Sequence, residues 1–233
     1  MGRDHALSGG LAFAAVAPLL HPTVPALAAG VVLTAGAALL PDFDEPHSTI
    51  ARTAGFLTGG FARLVRLVSG GHRKGSHSVV GLAVFTAAAW AAVRYDGSMY
   101  GKVALGVFLA LLLAAAFRAL HIGGHHGDAL GMAAAAAMVY WRTGLSLVAL
   151  CIALGAAAHV AGDMCTDDGV PFLYPLSGHD FHALPVPMCF KTGKAVEHWL
   201  VSPLLLAALG FLLWRDTGAM TFATHARTAI GAP

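Results

Sequence analysis

The sequence predicts an all-α integral membrane protein, a compact bundle of about seven helices. Three observations predict it. Of the 233 residues, 57% are hydrophobic and only 11% charged, where a soluble domain carries about 25% charged residues. Water is therefore not the main solvent for this surface. Seven apolar runs punctuate the chain, most of them on the short side of the length that crosses a hydrocarbon core of about 30 Å. The runs are rich in Ala and Gly, and small residues let membrane helices approach closely.

The first run, Leu7–Leu20, follows Arg3 and has the outline of a signal peptide, but no clear small-residue cleavage site follows it. The segment from Leu20 to Pro25 reads instead as the turn of a helical hairpin, because Pro22 and Pro25 break helices. The first run is thus expected to be retained and to lead directly into the second, Val24–Leu40. A polar stretch from Pro41 to Ser78 comes next. Within it, Ile50–Val68 has apolar residues at helical spacing with Arg52, Arg63 and Arg66 between them. That pattern fits a helix lying in the membrane interface and equally a solvated amphipathic helix packed on the bundle. Val79–Val93 and Val103–Leu120 are the third and fourth runs. The fifth, Ala129–Trp141, is short enough to be a buried or re-entrant helix. Leu145–Val160 leads into a second polar stretch, Gly162–His198, and Trp199–Trp214 is the last run. No internal repeat is found. The length suits a single domain over 1–233, with 41–78 and 162–198 as site-forming loops and 219–233 as a flexible tail.

Seven spans put the N-terminus, Pro41–Ser78, Arg118–Asp128 and Gly162–His198 on one face. That face holds Arg3, Arg52, Arg63, Arg66, Arg73, Lys74, Arg118, Lys191 and Lys194, nine basic residues against five on the other, Arg94, Lys102, Arg142, Arg215 and Arg227. The positive-inside rule makes the richer face cytoplasmic in a cell (inner) membrane. The net charge of +2 gives no reason to expect a nucleic-acid partner. Cys151 reads as a small core residue. Cys165 and Cys189 share a loop placed in the cytosol and are read as free thiols, with Cys165 also open to a role as a soft metal ligand.

The 13 histidines are more informative, because several lie close to aspartates. In His159-Val-Ala-Gly-Asp163 the two ligand-type residues are four apart, hence on one helical face. Imidazole and carboxylate together suit zinc, manganese or iron; the alternative is a His–Asp hydrogen bond capping a helix end. In His72-Arg-Lys-Gly-Ser-His77-Ser78 the histidines would be ligands, Arg73 a bidentate phosphate clamp, and Ser76 or Ser78 a helix cap. The bland reading there is a basic lipid-headgroup anchor. Leu39-Leu-Pro-Asp42-Phe-Asp44 places two carboxylates in a turn beside Glu45. A cation would relieve their repulsion, although Asp also serves routinely in Asx turns. His5 and Glu197 gain weight only from lying on the same face, since a Glu in a first helical turn is already favoured by the dipole. His121, His125, His126 and Asp128 share a face, but glycines interrupt the helix that would align them. His179 and His182 are candidates for contacting substrate. His21, His47 and His225 read as structural or incidental.

With those residues in place, the chain resembles the YdjM-type family of membrane-bound metal-dependent hydrolases. The matching pieces are His5, the Leu39–Asp44 box, His72–Ser78, His159–Ser177 and Thr192–Glu197, in order over nearly the whole chain. The order of ligand-type residues is also similar to that of zinc-dependent phospholipase C. That resemblance implies His5, Asp42 or Asp44, His72, His77, His159, Asp163 and Glu197 as metal ligands at one membrane face, holding one to three divalent ions. Zinc is the first expectation, with manganese or iron as alternatives. One position departs from the pattern: the late Glu of phospholipase C follows a His by four residues, and here that residue is Gly193. The site would then hold fewer metals, or borrow His179, His182 or His198.

The expected function is hydrolysis of a lipid or lipid-linked phosphoester by metal-activated water, with whichever of Asp42 and Asp44 is not a bridging ligand as general base and Arg73 holding the phosphate. Membrane lipids are the expected partners. A metal-ion or small-solute transporter is the second reading, since intramembrane ionisable residues mark ion paths. A non-catalytic structural membrane protein is the third.

Overall fold

The computed structural model of the chain describes residues 2–229, with side chains through residue 218. Among these there are eight α-helices and no β-strand. They are α1 (Gly2–Leu20), α2 (Val24–Ala37), α3 (Phe56–Val68), α4 (Val79–Arg94), α5 (Met99–Ala119), α6 (Gly127–Trp141), α7 (Val148–Asp163) and α8 (Ser202–Ala229). Each of the seven apolar runs forms a helix. The eighth helix, α3, is the amphipathic segment of the first polar stretch. Four segments, Val24–Asp44, Met99–Ala119, Leu145–Asp163 and Glu197–Gly218, are long and apolar enough to cross a membrane by length and composition. That is fewer than the seven spans expected. The first turn of α1 carries Arg3 and Asp4, α4 is a shorter apolar helix, and α6 has 15 residues, about 22 Å at 1.5 Å per residue. The flexible tail expected over 219–233 falls where no side chain is described, although the backbone of α8 is helical to Ala229.

α1 and α2 form the hairpin that Pro22 and Pro25 announce. Its turn takes His21 into the left-handed region at φ 45°, and Thr23 caps α2 by accepting the Ala26 N–H at 3.4 Å. The core is the junction of α1, α2 and α7, where glycines fix the spacing. Gly9 on α1 and Gly155 on α7 both press on the Thr34 carbonyl of α2. A Cβ at either position would meet that oxygen at 2.4 and 2.6 Å respectively. α1 runs away from this junction's polar end, while α2 and α7 run toward it. One turn from the junction, about 6 Å along each axis, therefore come His5 on α1, the Ala38 carbonyl after α2 and His159 on α7. The small residues thus set the height at which the histidines meet.

The remaining helices extend the bundle. α5 and α6 pair closely, α8 packs on α1, and α4 packs on α7. At the polar end, Arg118 at the close of α5 donates to the Arg52 carbonyl at 3.1 Å. At the opposite end, Arg142 after α6 pairs with Asp96 after α4 at 2.8 Å. The loop after α7 has no strand, but two isolated bridges, Thr166 with Phe190 and Val170 with Phe181, fold it over the polar end.

Candidate metal centre

Every candidate ligand from the four main motifs comes from a helix end. His5 lies in the first turn of α1. Asp42 and Asp44 lie in the 3-10 turn Pro41–Asp44 that ends α2's run, where proline stops the helix. His72 and His77 flank the short turn before α4, and His159 and Asp163 occupy the last turns of α7.

The side chains converge. His77 Nε2 and His159 Nε2 face each other at 3.2 Å. Asp42 Oδ1 lies 3.8 Å from the first nitrogen and 3.7 Å from the second, and Asp163 Oδ2 is 3.5 Å from each. His5 stacks on His159 with ring centroids 3.8 Å apart, and its Nε2 is 3.5 Å from Asp163 Oδ1. The ligand-type side chains make three overlapping groups, each compact enough to hold an ion: His5, His159 and Asp163; Asp42, His77 and His159; Asp42, Asp44 and His72. His159 joins the first two groups and Asp42 the last two.

Hydrogen bonds fix which ring nitrogens are free. His159 Nδ1 lies 2.6 Å from the Ala38 carbonyl, an acceptor only, so Nδ1 carries a proton, and in the neutral ring Nε2 is the nitrogen with the lone pair. Ser76 Oγ donates to Asp44 Oδ2 and is 3.0 Å from His77 Nδ1. With its own proton on Asp44, Ser76 accepts from His77 Nδ1–H, and His77 Nε2 is again left bare. Across 3.2 Å the two Nε2 atoms either share a proton, donated by a charged His159, or face a cation held between them. Two nitrogens bound at 2.0–2.1 Å to one tetrahedral ion lie about 3.3 Å apart, so the separation suits a shared ion. Burial lowers the pKa of His77, outweighing the hydrogen bond and charge of Asp44 that raise it, and so favours its neutral, ligating form. At His72 burial also lowers the pKa, but the hydrogen bond and charge of Asp44 prevail and the net shift is upward.

Asp44 is completely buried and accepts from three donors. His72 Nδ1 approaches Oδ1 at 2.7 Å, and the Arg73 backbone N–H and the Ser76 hydroxyl meet Oδ2. Arg73 reaches this position with φ at 58°, a left-handed conformation that costs a bulky residue of order 1–3 kcal/mol and tends to occur at functional sites. Its guanidinium is nearly buried. It donates to Asp163 Oδ1 at 3.2 Å, Asp168 Oδ2 at 3.2 Å and Thr166 Oγ1 at 3.3 Å. Beside it opens a polar cavity of about 360 Å³ walled by His72, Arg73, Lys74, Asp168, Tyr174 and Asp180.

Other sequence candidates lie elsewhere. Glu197 is buried but enters none of the three groups. It accepts the Gly193 backbone N–H at 2.5 Å and a side-chain hydrogen bond links it to Asp4, to which Ser202 also donates. His121, His125 and His126 are exposed, and Asp128 is taken by Arg118 Nε at 3.0 Å. His182 bonds the Asp167 carbonyl at 3.3 Å; His179 and His198 are exposed, and none of the three joins a group. His225 lies outside the described side chains. Cys165 and Cys189 are free thiols. Of the two serines suggested as caps, Ser78 caps α4 by accepting the Gly81 N–H at 3.2 Å, while Ser76 is turned into the centre. The roles of Ser76, Thr166, Asp168 and the Ala38 carbonyl were not singled out from the sequence. The first three sit inside motifs that were.

Helices apolar enough to cross a membrane, closed at one end by buried His/Asp groups that can hold a metal ion, define the chain as an integral membrane protein with a candidate metal centre. It belongs to the YdjM inner membrane protein family, whose sequence pattern it matches over residues 1–230. No curated protein and no solved structure matches the chain.

Proposed function

We propose that the protein is a metal-dependent hydrolase of a lipid or lipid-linked phosphoester, with its site at the cytoplasmic face. The observation that carries this reading is the pair of facing imidazole nitrogens, His77 Nε2 and His159 Nε2, 3.2 Å apart with carboxylates on either side. A divalent ion held there, zinc by the chemistry of the donor set, supplies Lewis acidity and acidifies water to near neutral pH. His77, His159 and Asp163 would hold the first ion, with Asp42 beside it. His5, His72 and Asp44 would complete further positions, for one to three ions in all.

The chain's own groups divide the remaining work. Asp44, saturated by three donors, orients His72 and the Arg73 backbone. Asp42 is partly exposed and is the carboxylate left to take a proton from water. Arg73 presents a positive edge to the polar cavity and would hold the phosphate as a planar fork. Ligands at helix ends favour this reading over a transporter, whose sites usually lie near mid-depth. The nine basic residues on the site's face support the cytoplasmic orientation.

The test is metal content by elemental analysis of detergent-purified protein, wild type beside His159→Ala/Asp163→Ala, followed by a phosphoester screen. One to three equivalents of metal lost in the double variant, with hydrolysis of a phospholipid by the wild type, would support the reading. A wild-type protein without metal, purified with metal supplied throughout, would refute it and put a structural role first.

A further inference from the structure

An apolar groove of about 700 Å³ lies between α3, α4 and α5, within the range of pockets that bury small ligands. Its walls are Phe61 and Leu64 of α3 and Val80 and Val84 of α4, and Phe43 lies in its floor. α3 is not buried as a core helix would be. Only Ala62 is fully covered, while Leu57, Phe61 and Leu64 are more than half exposed. A salt bridge from Arg66 to Glu45 at 2.5 Å ties α3 to the segment that carries Asp42 and Asp44.

The groove ends at the metal centre. Its lining reaches Gly75 and Ser76, and Ser76 is the residue whose hydroxyl binds Asp44 and His77. On the other side of Asp44, His72 lines the polar cavity while bonded to the same carboxylate. The Pro41–Asp44 turn divides accordingly. Phe43 points to the groove and packs on Phe61 with ring centroids 5.4 Å apart, while Asp42 and Asp44 on either side of it face the histidines. An apolar groove and a polar cavity walled by His72, Arg73, Lys74, Asp168 and Asp180 thus flank one buried carboxylate, the groove through Ser76 and the cavity through His72.

Resting on the hydrolase reading, we propose that the groove holds one hydrocarbon chain of the substrate, while the phosphoryl headgroup enters the His72–Arg73–Lys74 cavity. The scissile bond would then lie beside Asp42, the partly exposed carboxylate of the Pro41–Asp44 turn. The substrate class is a single amphiphile with a long apolar chain adjoining its phosphoester, and Phe61, Leu64 and Val84 select for that chain. A lipid that merely coats the bundle would have no reason to stop at Ser76.

The experiment uses the full-length protein, metal-supplied, in nanodiscs, with a phosphatidylglycerol bearing a diazirine near the end of one acyl chain. Photolabelling should saturate at one equivalent on peptides of α3 and α4 that line the groove, whereas label on exposed Val103 of α5 should rise linearly with probe. Val84→Trp, which fills the groove, should lower the saturable label about tenfold, the effect of some 1.4 kcal/mol of lost binding, with metal content equal to wild type. Leu64→Trp, from the opposite wall, should do the same and guards against misfolding of either variant. Label that never saturates, or that is unchanged in both variants, overturns the groove whatever the metal content. Saturable label in a protein devoid of metal upholds the chain site and removes the hydrolase reading alone.

Discussion

Ser76→Ala isolates the logic of the centre, because Ser76 touches no candidate ion and yet governs two candidate ligands. The wild-type hydroxyl donates to Asp44 and accepts from His77 Nδ1–H. Removing it leaves one oxygen of a wholly buried carboxylate with the Arg73 N–H and a long 3.5 Å approach from His77 Nδ1, and loosens the hold that keeps the His77 proton off Nε2, the nitrogen that faces His159. Loss of a hydrogen bond that orients a metal ligand costs about 10–100-fold in metal affinity, or about 1.4–2.7 kcal/mol. Loss of a hydrogen bond to a charged group, about 1.5–3 kcal/mol, brackets the same range independently. Ser78→Ala is the matched control two residues away. It removes only the α4 cap, at about 1 kcal/mol of stability, and should leave metal affinity within experimental scatter. The assay is competition of purified protein against a chromogenic zinc chelator, with thermal stability measured in parallel. Ser76→Ala binding zinc as tightly as wild type would show that Ser76 does not set the His77 tautomer. Equal weakening in both variants would trace the effect to the loop as a whole and refute the relay.

Three further outcomes follow from the same geometry. Gly155→Val should destabilise the bundle by about 1–3 kcal/mol, as overpacking does, because a Cβ there meets the Thr34 carbonyl at 2.6 Å; Gly106→Ala on α5, with nothing within 4 Å, should be neutral or stabilising by up to about 1 kcal/mol, and equal melting temperatures would contradict the close-packed junction. Chelation should lower the melting temperature, since free metal at a hundredfold over its dissociation constant adds about 2.7 kcal/mol to the folded state; a protein indifferent to chelator and to added zinc would count against the centre. Arg73→Lys keeps the charge but not the fork that spans Asp163 and Asp168, so phosphoester turnover should fall about 10–100-fold, the equivalent of 1.5–3 kcal/mol of charged hydrogen bonding, with metal content largely retained; full activity in Arg73→Lys would remove the clamp.

Helix positions and most candidate ligands were legible because both are written in short-range patterns. An apolar run bounded by proline or a polar stretch announces a membrane helix. A His and an Asp four apart announce one face, whatever surrounds them. What was not legible depends on contacts across the bundle. Ser76 and Ser78 are alike as candidate caps, and only the approach of Asp44 turns the first inward. The amphipathic segment left two readings open, interfacial or packed on the bundle. Its salt bridge to Glu45 shows how it is moored at one end, yet its apolar residues remain exposed beside a groove that no periodicity reveals. Four helices meet the length and hydropathy for crossing where seven spans were expected. Two of the three shortfalls lie in residues that build the site: α1 opens on polar residues that reach His159 and Glu197, and α4 starts late because Gly75–Ser78 are spent on the turn into Asp44; the third, α6, is short at 15 residues.

The fate of Glu197 shows how a local turn redirects a residue. Four residues before Glu197 lies Gly193, with φ at 71°, a conformation that favours glycine. That turn aims the Gly193 backbone N–H at Glu197, and the carboxylate is satisfied by that amide and by Asp4. It is thereby held beside the first turn of α1, next in sequence to His5, on the flank of the groups that can hold an ion. That amide makes the carboxylate a brace for α1. Since His5 stacks on His159, that brace bears directly on the centre. Glu197→Gln would keep an acceptor for the Gly193 amide, lose the charge, and separate the two roles. A brace predicts wild-type metal content with a lowered melting temperature, whereas loss of one full equivalent of metal would make Glu197 a ligand after all.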